Sequence, residues 1–155
     1  MWIPPEEVDP IYLHCPTRKS VGYFGAVRLR DGKFIFQRAN TRFNGESFLG
    51  FMKLLHSRGT HTSRKMIAIV DNARYHHAKL HAPWRSEHDK TFKLDFLPPY
   101  SPKLSMIERV WKLTRRLRTH NKRFSELEEI MAAVETQFEV WGKPNETLRR
   151  LCAIS

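Results

Sequence analysis

The run "KMIAIVDN", residues 65 to 72, narrows the fold more than any other stretch of the sequence. Met66 to Val70 are all apolar, and three of them are β-branched, which describes a strand covered on both faces. A strand buried in that way needs helices above and below it, and the flanking sequence supplies them. "GESFLGFMKLLHS", residues 45 to 57, spaces Phe48, Phe51, Met52 and Leu55 at helical intervals. Upstream, "VGYFGAVRLR" and "KFIFQRA" flank Asp31 and Gly32, a strong hairpin signal. Downstream, "FKLDFLP" sets Phe92, Leu94 and Phe96 on one side and Asp95 on the other. The order hairpin, helix, strand, short helix over 76–88, strand, helix and helical tail is mixed α/β.

A chain of 155 residues fits one domain. Residues 1–20 hold four prolines and read as an irregular arm, with "IYLHC" its one candidate strand. Residues 21–123 form the α/β body. Residues 124–155 form a helical extension, opened by Ser125 and Glu128 as a capping-box pair. Its apolar stripe is Leu127, Ile130, Met131, Val134 and Phe138.

Charge points to a partner. The formal net charge is +11, and eight basic residues lie between Lys103 and Arg123 against Glu108 alone, so +7 sits in that short segment. Lys103, Arg109, Lys112, Arg115, Arg116 and Arg118 read as a phosphate-contacting strip. Two cysteines, Cys15 and Cys152, make no disulfide framework, and a reducing cytoplasm is the expected compartment. No apolar run approaches the roughly 18 residues of a membrane span.

Two carboxylates stand at the edges of apolar elements. Asp71 ends the buried strand, where sites form in open α/β sheets; ordinary turn chemistry at "DN" is the alternative. Glu108 lies in the first turns of a helix striped by Ile107, Val110, Trp111, Thr114 and Leu117. Its alternative is pairing with Lys112, worth only about 0.3–0.5 kcal/mol. Pro98, Pro99 and Pro102 stiffen the approach to Glu108, as a positioned metal ligand would require. His76 and His77 read as hydrogen-bonded turn residues sooner than as ligands. Asp9 between prolines, Asp31 in the hairpin turn and outward-facing Asp95 all read as structural.

Taken together, "VDNARYHHA" and "LDFLPPYSPKLSMIERVWKLTRR" resemble the second and third acidic motifs of bacterial DDE-type transposases, in the insertion-sequence branch of the mariner-like superfamily. "CPTRKSVGYFGAVRL", "THNKRFSELEEI" and "PNETLRRLCAI" extend the likeness over nearly the whole chain. The resemblance implies a ribonuclease-H-like catalytic domain over 21–123, a mixed sheet flanked by helices. It also implies cleavage and strand transfer of double-stranded DNA, transposon ends and target, around Mg2+ or Mn2+. Asp71 matches the second acid and Glu108 the third, both as catalytic residues and metal ligands, with Asn72 and His76 beside the site. The family implies no membrane partner, and either a homodimer or an assembly with a full-length transposase. Ser105 and Met106 replace the family's asparagine-proline pair, a change that moves the helix start. The family's first acid lies upstream of the segment with which this sequence opens. The expectation is therefore an incomplete copy whose sheet lacks its first strand, the gap filled by "IYLHC" or by a partner chain. Two further readings stay open: a DNA-binding remnant without catalysis, and a ribonuclease-H-like nuclease acting on RNA or hybrids.

Overall fold

The computed structural model describes residues 6–14, 20–39, 42–59, 64–99, 105–120 and 122–153, the first of these segments by its backbone. Strands β1 (Glu6–His14), β2 (Ser20–Arg28), β3 (Phe34–Ala39), β4 (Met66–Val70) and β5 (Phe92–Phe96) form one sheet in the order β3-β2-β1-β4-β5. β2 pairs antiparallel with both β1 and β3, and β4 pairs parallel with both β1 and β5. β1 meets β2 along its whole length but meets β4 only from Glu6↔Ala68 to Val8↔Val70.

This corrects two expectations. Residues 6–14 are not part of an irregular arm, and the sheet has no gap: they are its central strand, starting well before "IYLHC". Pro10 had argued against a central strand, because it brings no donor to a ladder. It stands two residues past Val8, where the β4 ladder has ended, so its missing N–H interrupts no pairing on that side.

The hairpin forms as its turn sequence demands. Gly32 takes φ +75°, and its N–H donates to the Arg28 carbonyl at 2.7 Å. The Arg28 guanidinium grips the Asp31 carboxylate through Nε at 2.9 Å and Nη2 at 2.6 Å. Burial alone would raise the Asp31 carboxyl, but the Arg28 and Lys33 hydrogen bonds hold it below the usual carboxylate range.

Because side chains alternate along a strand, β2 feeds two cores. Phe24 and Ala26 pack toward α1 (Gly45–Gly59), whose Phe48, Phe51, Met52 and Leu55 are fully buried, as the spacing predicts. Tyr23 and Val27 pack toward α3 (Met106–Thr114), α4 (Leu127–Val140) and α5 (Glu146–Leu151). Burying each large side chain here stabilises the fold by about 1.5–3 kcal/mol. Gly25 lies under Trp111, and a Cβ there would run into the indole ring.

Three local expectations change. The helix expected over 76–88 is two 3-10 turns, Arg74–His77 and Lys79–His81, followed by α2 (Ala82–Glu87). Pro83 can occupy only the first turn of an α-helix, which sets the late start. After α3 the chain widens into a π turn, Arg115–Thr119, so Leu117 rotates off the apolar stripe and is 43% exposed. At the next helix, the Ser125 N–H and hydroxyl bond the Glu129 carboxylate at 3.2 and 3.4 Å, one residue beyond the expected Glu128.

Candidate metal centre and nucleic-acid interface

The place is where the β1–β4 ladder ends, at the carboxyl end of β4 and part-way along β1. Val8 and Val70 are partners, so Asp9 and Asp71 are the next residues on neighbouring parallel strands, level with each other where the ladder stops. β1 hands the chain to β2 on one side and has its parallel neighbour β4 on the other. A crevice of this kind is where open α/β sheets bind ligands. The prolines around Asp9 make it look structural in the sequence; the β4 register places its backbone level with Asp71. Helix α3, which carries Glu108 in its first turn, packs against β1 and β2.

Asp71 is held in one orientation. Its Oδ1 accepts the Ala73 N–H at 2.9 Å, and His76 Nδ1 lies 2.8 Å from the same oxygen and 2.9 Å from the Asp71 carbonyl. Nδ1–H is therefore the donor. The His76 ring is fully buried, 4.6 Å from each of the Phe48 and Tyr75 rings, and its Nε2 has no partner among the described residues. Asp71 itself keeps 43% of its side chain in solvent. The result is a carboxylate oriented by its own turn and still partly in solvent.

Asn72 and His77 form a second set of contacts. Asn72 Nδ2 donates to the Leu97 carbonyl at 2.7 Å, and His77 Nε2 reaches Asn72 Oδ1 at 3.1 Å. The His77 ring stacks on Phe96 at 4.1 Å. His81, which the sequence gave no reason to single out, is buried, donates from Nε2 to the Tyr75 carbonyl, and accepts Arg85 Nε on Nδ1. Burial pushes its pKa below the ordinary histidine value, and the Arg85 charge works in the same direction.

Glu108 is half-buried, on a helix whose Met106, Ile107 and Val110 are anchored in the core. It makes no ion pair among the described residues, so the alternative of pairing with Lys112 is not realised. Trp111 is 1% exposed and belongs to the core. Of the basic strip, Lys112, Arg115 and Arg116 are exposed. Arg109 donates to the Leu151 carbonyl at 3.0 Å, and Arg118 to Gln137 Oε1 at 3.2 Å; both tie helices together. Lys103 lies outside the described residues, as does most of "PPYSP".

No group of three or more metal-capable side chains comes together among the described residues. Asp71 and Glu108 each offer carboxylate oxygens, the donor type that a hard divalent cation such as Mg2+ or Mn2+ takes. Both stand at the ends of regular elements, Asp71 with part of its side chain in solvent. His76 is buried behind Asp71 and is not placed as a ligand.

Sheet order, strand directions and helices on both faces together define a ribonuclease-H-like fold of the kind found in transposase and integrase catalytic domains. A family model for DDE superfamily endonucleases matches residues 2–131, and the chain belongs to that family. Among solved structures, the Mos1 transposase catalytic domain with raltegravir and Mg superposes at a TM-score of 0.74 and 14% identity, over 95% of this chain and 75% of that one. The Mos1 strand transfer complex gives 0.72 at 13% identity, over 95% of this chain and 50% of that one. The simian T-cell lymphotropic virus intasome gives 0.63 at 15% identity, over 88% and 49%. No curated protein matches the sequence. Among the described residues, no helix is long and apolar enough to cross a membrane.

Proposed function

We propose that this chain is a transposase catalytic domain that cleaves double-stranded DNA and transfers strands with the help of Mg2+ or Mn2+, held by Asp71, Glu108 and Asp9. The observation that carries this reading is the register: Asp9 and Asp71 directly follow the last β1–β4 pair, Val8↔Val70, and stand at one level, with α3 packed on β1. A divalent cation bound there would supply activation of the attacking oxygen and stabilisation of the leaving oxygen.

The chain's own residues set that chemistry up. Ala73 N–H and His76 orient the Asp71 carboxylate before any cation arrives. Met106 and Ile107, locked in the core, fix the turn that presents Glu108. Lys112, Arg115 and Arg116 give phosphates a charged surface that is sequence-tolerant and weakened by salt. Joining two DNA ends to a target would bring two copies of the domain together.

The test is nicking of supercoiled plasmid by the whole chain in Mg2+ or Mn2+. Cutting should disappear in Asp71→Asn, Glu108→Gln and Asp9→Asn, with retardation of duplex DNA retained. Wild-type protein that binds DNA in a salt-sensitive way and never cuts it would overturn the catalytic reading. Full activity in Asp9→Asn would remove Asp9 from the site.

A further inference from the structure

Leu97 is the last residue before the Pro98–Pro99 pair, and both of its backbone polar groups are held by the end of β4. Its N–H donates to the Val70 carbonyl at 2.8 Å, and its carbonyl accepts Asn72 Nδ2 at 2.7 Å. The asparagine side chain thus continues the β4–β5 ladder one step beyond the strands. An amide side chain on an exposed turn would ordinarily sample several rotamers. This one is oriented by His77, whose Nε2 sits 3.1 Å from Asn72 Oδ1 while its ring lies flat on Phe96, 12° from parallel. His77 returns to that position because the 3-10 turn Arg74–His77 bends the chain back.

We infer that Asn72 and His77 form a latch, a pair of positioning residues that fixes where the chain departs toward Glu108 relative to Asp71, and thereby sets the spacing of the two carboxylates around the cation. The inference rests on the metal-site reading above and assigns a new task to residues that touch neither metal nor DNA in it. Asp71 and the Leu97 carbonyl are held by consecutive residues of one turn. An error in the Asn72 rotamer would therefore be passed on to Pro98 and Pro99, whose rings fix φ and leave them little freedom to absorb it. Partners that orient ligands from outside a metal's own shell typically change affinity about 10–100-fold when removed.

Two measurements on the full chain separate the latch from the reading it rests on. The first is hydrogen–deuterium exchange of the segment from Leu97 to Glu108 without metal. The second is Mn2+ binding followed by electron paramagnetic resonance. Asn72→Ala should speed exchange in that segment and weaken Mn2+ binding about ten-fold or more, with the melting temperature of the body nearly unchanged. His77→Ala should do the same to a smaller degree, and His77→Gln, which keeps a donor, should restore most of both. Unchanged exchange in Asn72→Ala would overturn the latch. Faster exchange with unaltered Mn2+ affinity would reduce it to a structural tie and overturn its positioning role. If the wild-type chain takes up no Mn2+, the metal-site reading fails, the spacing role fails with it, and exchange alone decides whether the latch exists.

Discussion

On the face of the sheet under α1, buried side chains come from β2, β3, β4 and β5 alike, whereas under α3, α4 and α5 the described ones come from β2 and β3 alone. Among the described residues, the second face is filled by large aromatics, Tyr23, Phe34, Trp111 and Phe138, from the β2–β3 half. Beyond them β4 shows half-buried Ile67 and Ile69, and β5 shows exposed Lys93 and Asp95. One face is built for stability over its full width. Among the described residues, the other leaves the β4–β5 half, beside Asp71, half-buried or exposed.

That contrast can be broken by substitution. Trp111→Ala or Phe138→Ala, on the filled half, should cost about 3–5 kcal/mol in urea unfolding. Ile69→Ala, on the open half, should cost clearly less than either; an equal cost would mean that β4 is covered after all. Gly25→Ala sharpens the same point, since its methyl would push against the Trp111 ring. A loss of about 1–3 kcal/mol is expected from overpacking.

Acid should act on the α1 side of the molecule. The folded state keeps His81 neutral below its ordinary pKa, so on acidification the unfolded chain takes up the proton first. Stability should fall as the pH drops below about 6.5 toward the lower folded value. His81→Gln should flatten that part of the pH profile, measured by thermal unfolding at pH 5 and pH 7. The smallest effect belongs to the hairpin turn. Asp31 is held below its ordinary pKa, so its contribution is complete above about pH 4 and is lost as the pH falls through the folded value. Arg28→Met should remove that acid-dependent component.

Elements whose signal is local were legible in the sequence. Gly32 announced the hairpin, the Met66–Val70 run announced β4, and the spacing of Phe48, Phe51, Met52 and Leu55 announced α1. Asp71 and Glu108 stood out as well, because each closes or opens a strongly patterned element. β1 was not. Glu6, Glu7, Asp9 and Pro10 carry no alternation, and the strand is defined by partners on two different segments, 20–28 and 68–70. Distant partners also give Arg109 and Arg118 a task their sequence position does not show, since their contacts reach Leu151 and Gln137. Asn72 looked like turn chemistry, and only the neighbouring strand end reveals what its amide holds.

The seam between β1 and β4 is three residue pairs long, Glu6 to Val8 against Ala68 to Val70, and it joins segments some sixty positions apart in the chain. The β1–β2–β3 meander consists of contacts close in sequence, which form quickly, whereas the seam must wait for a long loop to close. Asp9 and Asp71 are thus brought level only by the sheet pairing most distant in sequence. Divalent cation in the refolding buffer should therefore leave the early phase untouched and slow the reopening of the seam.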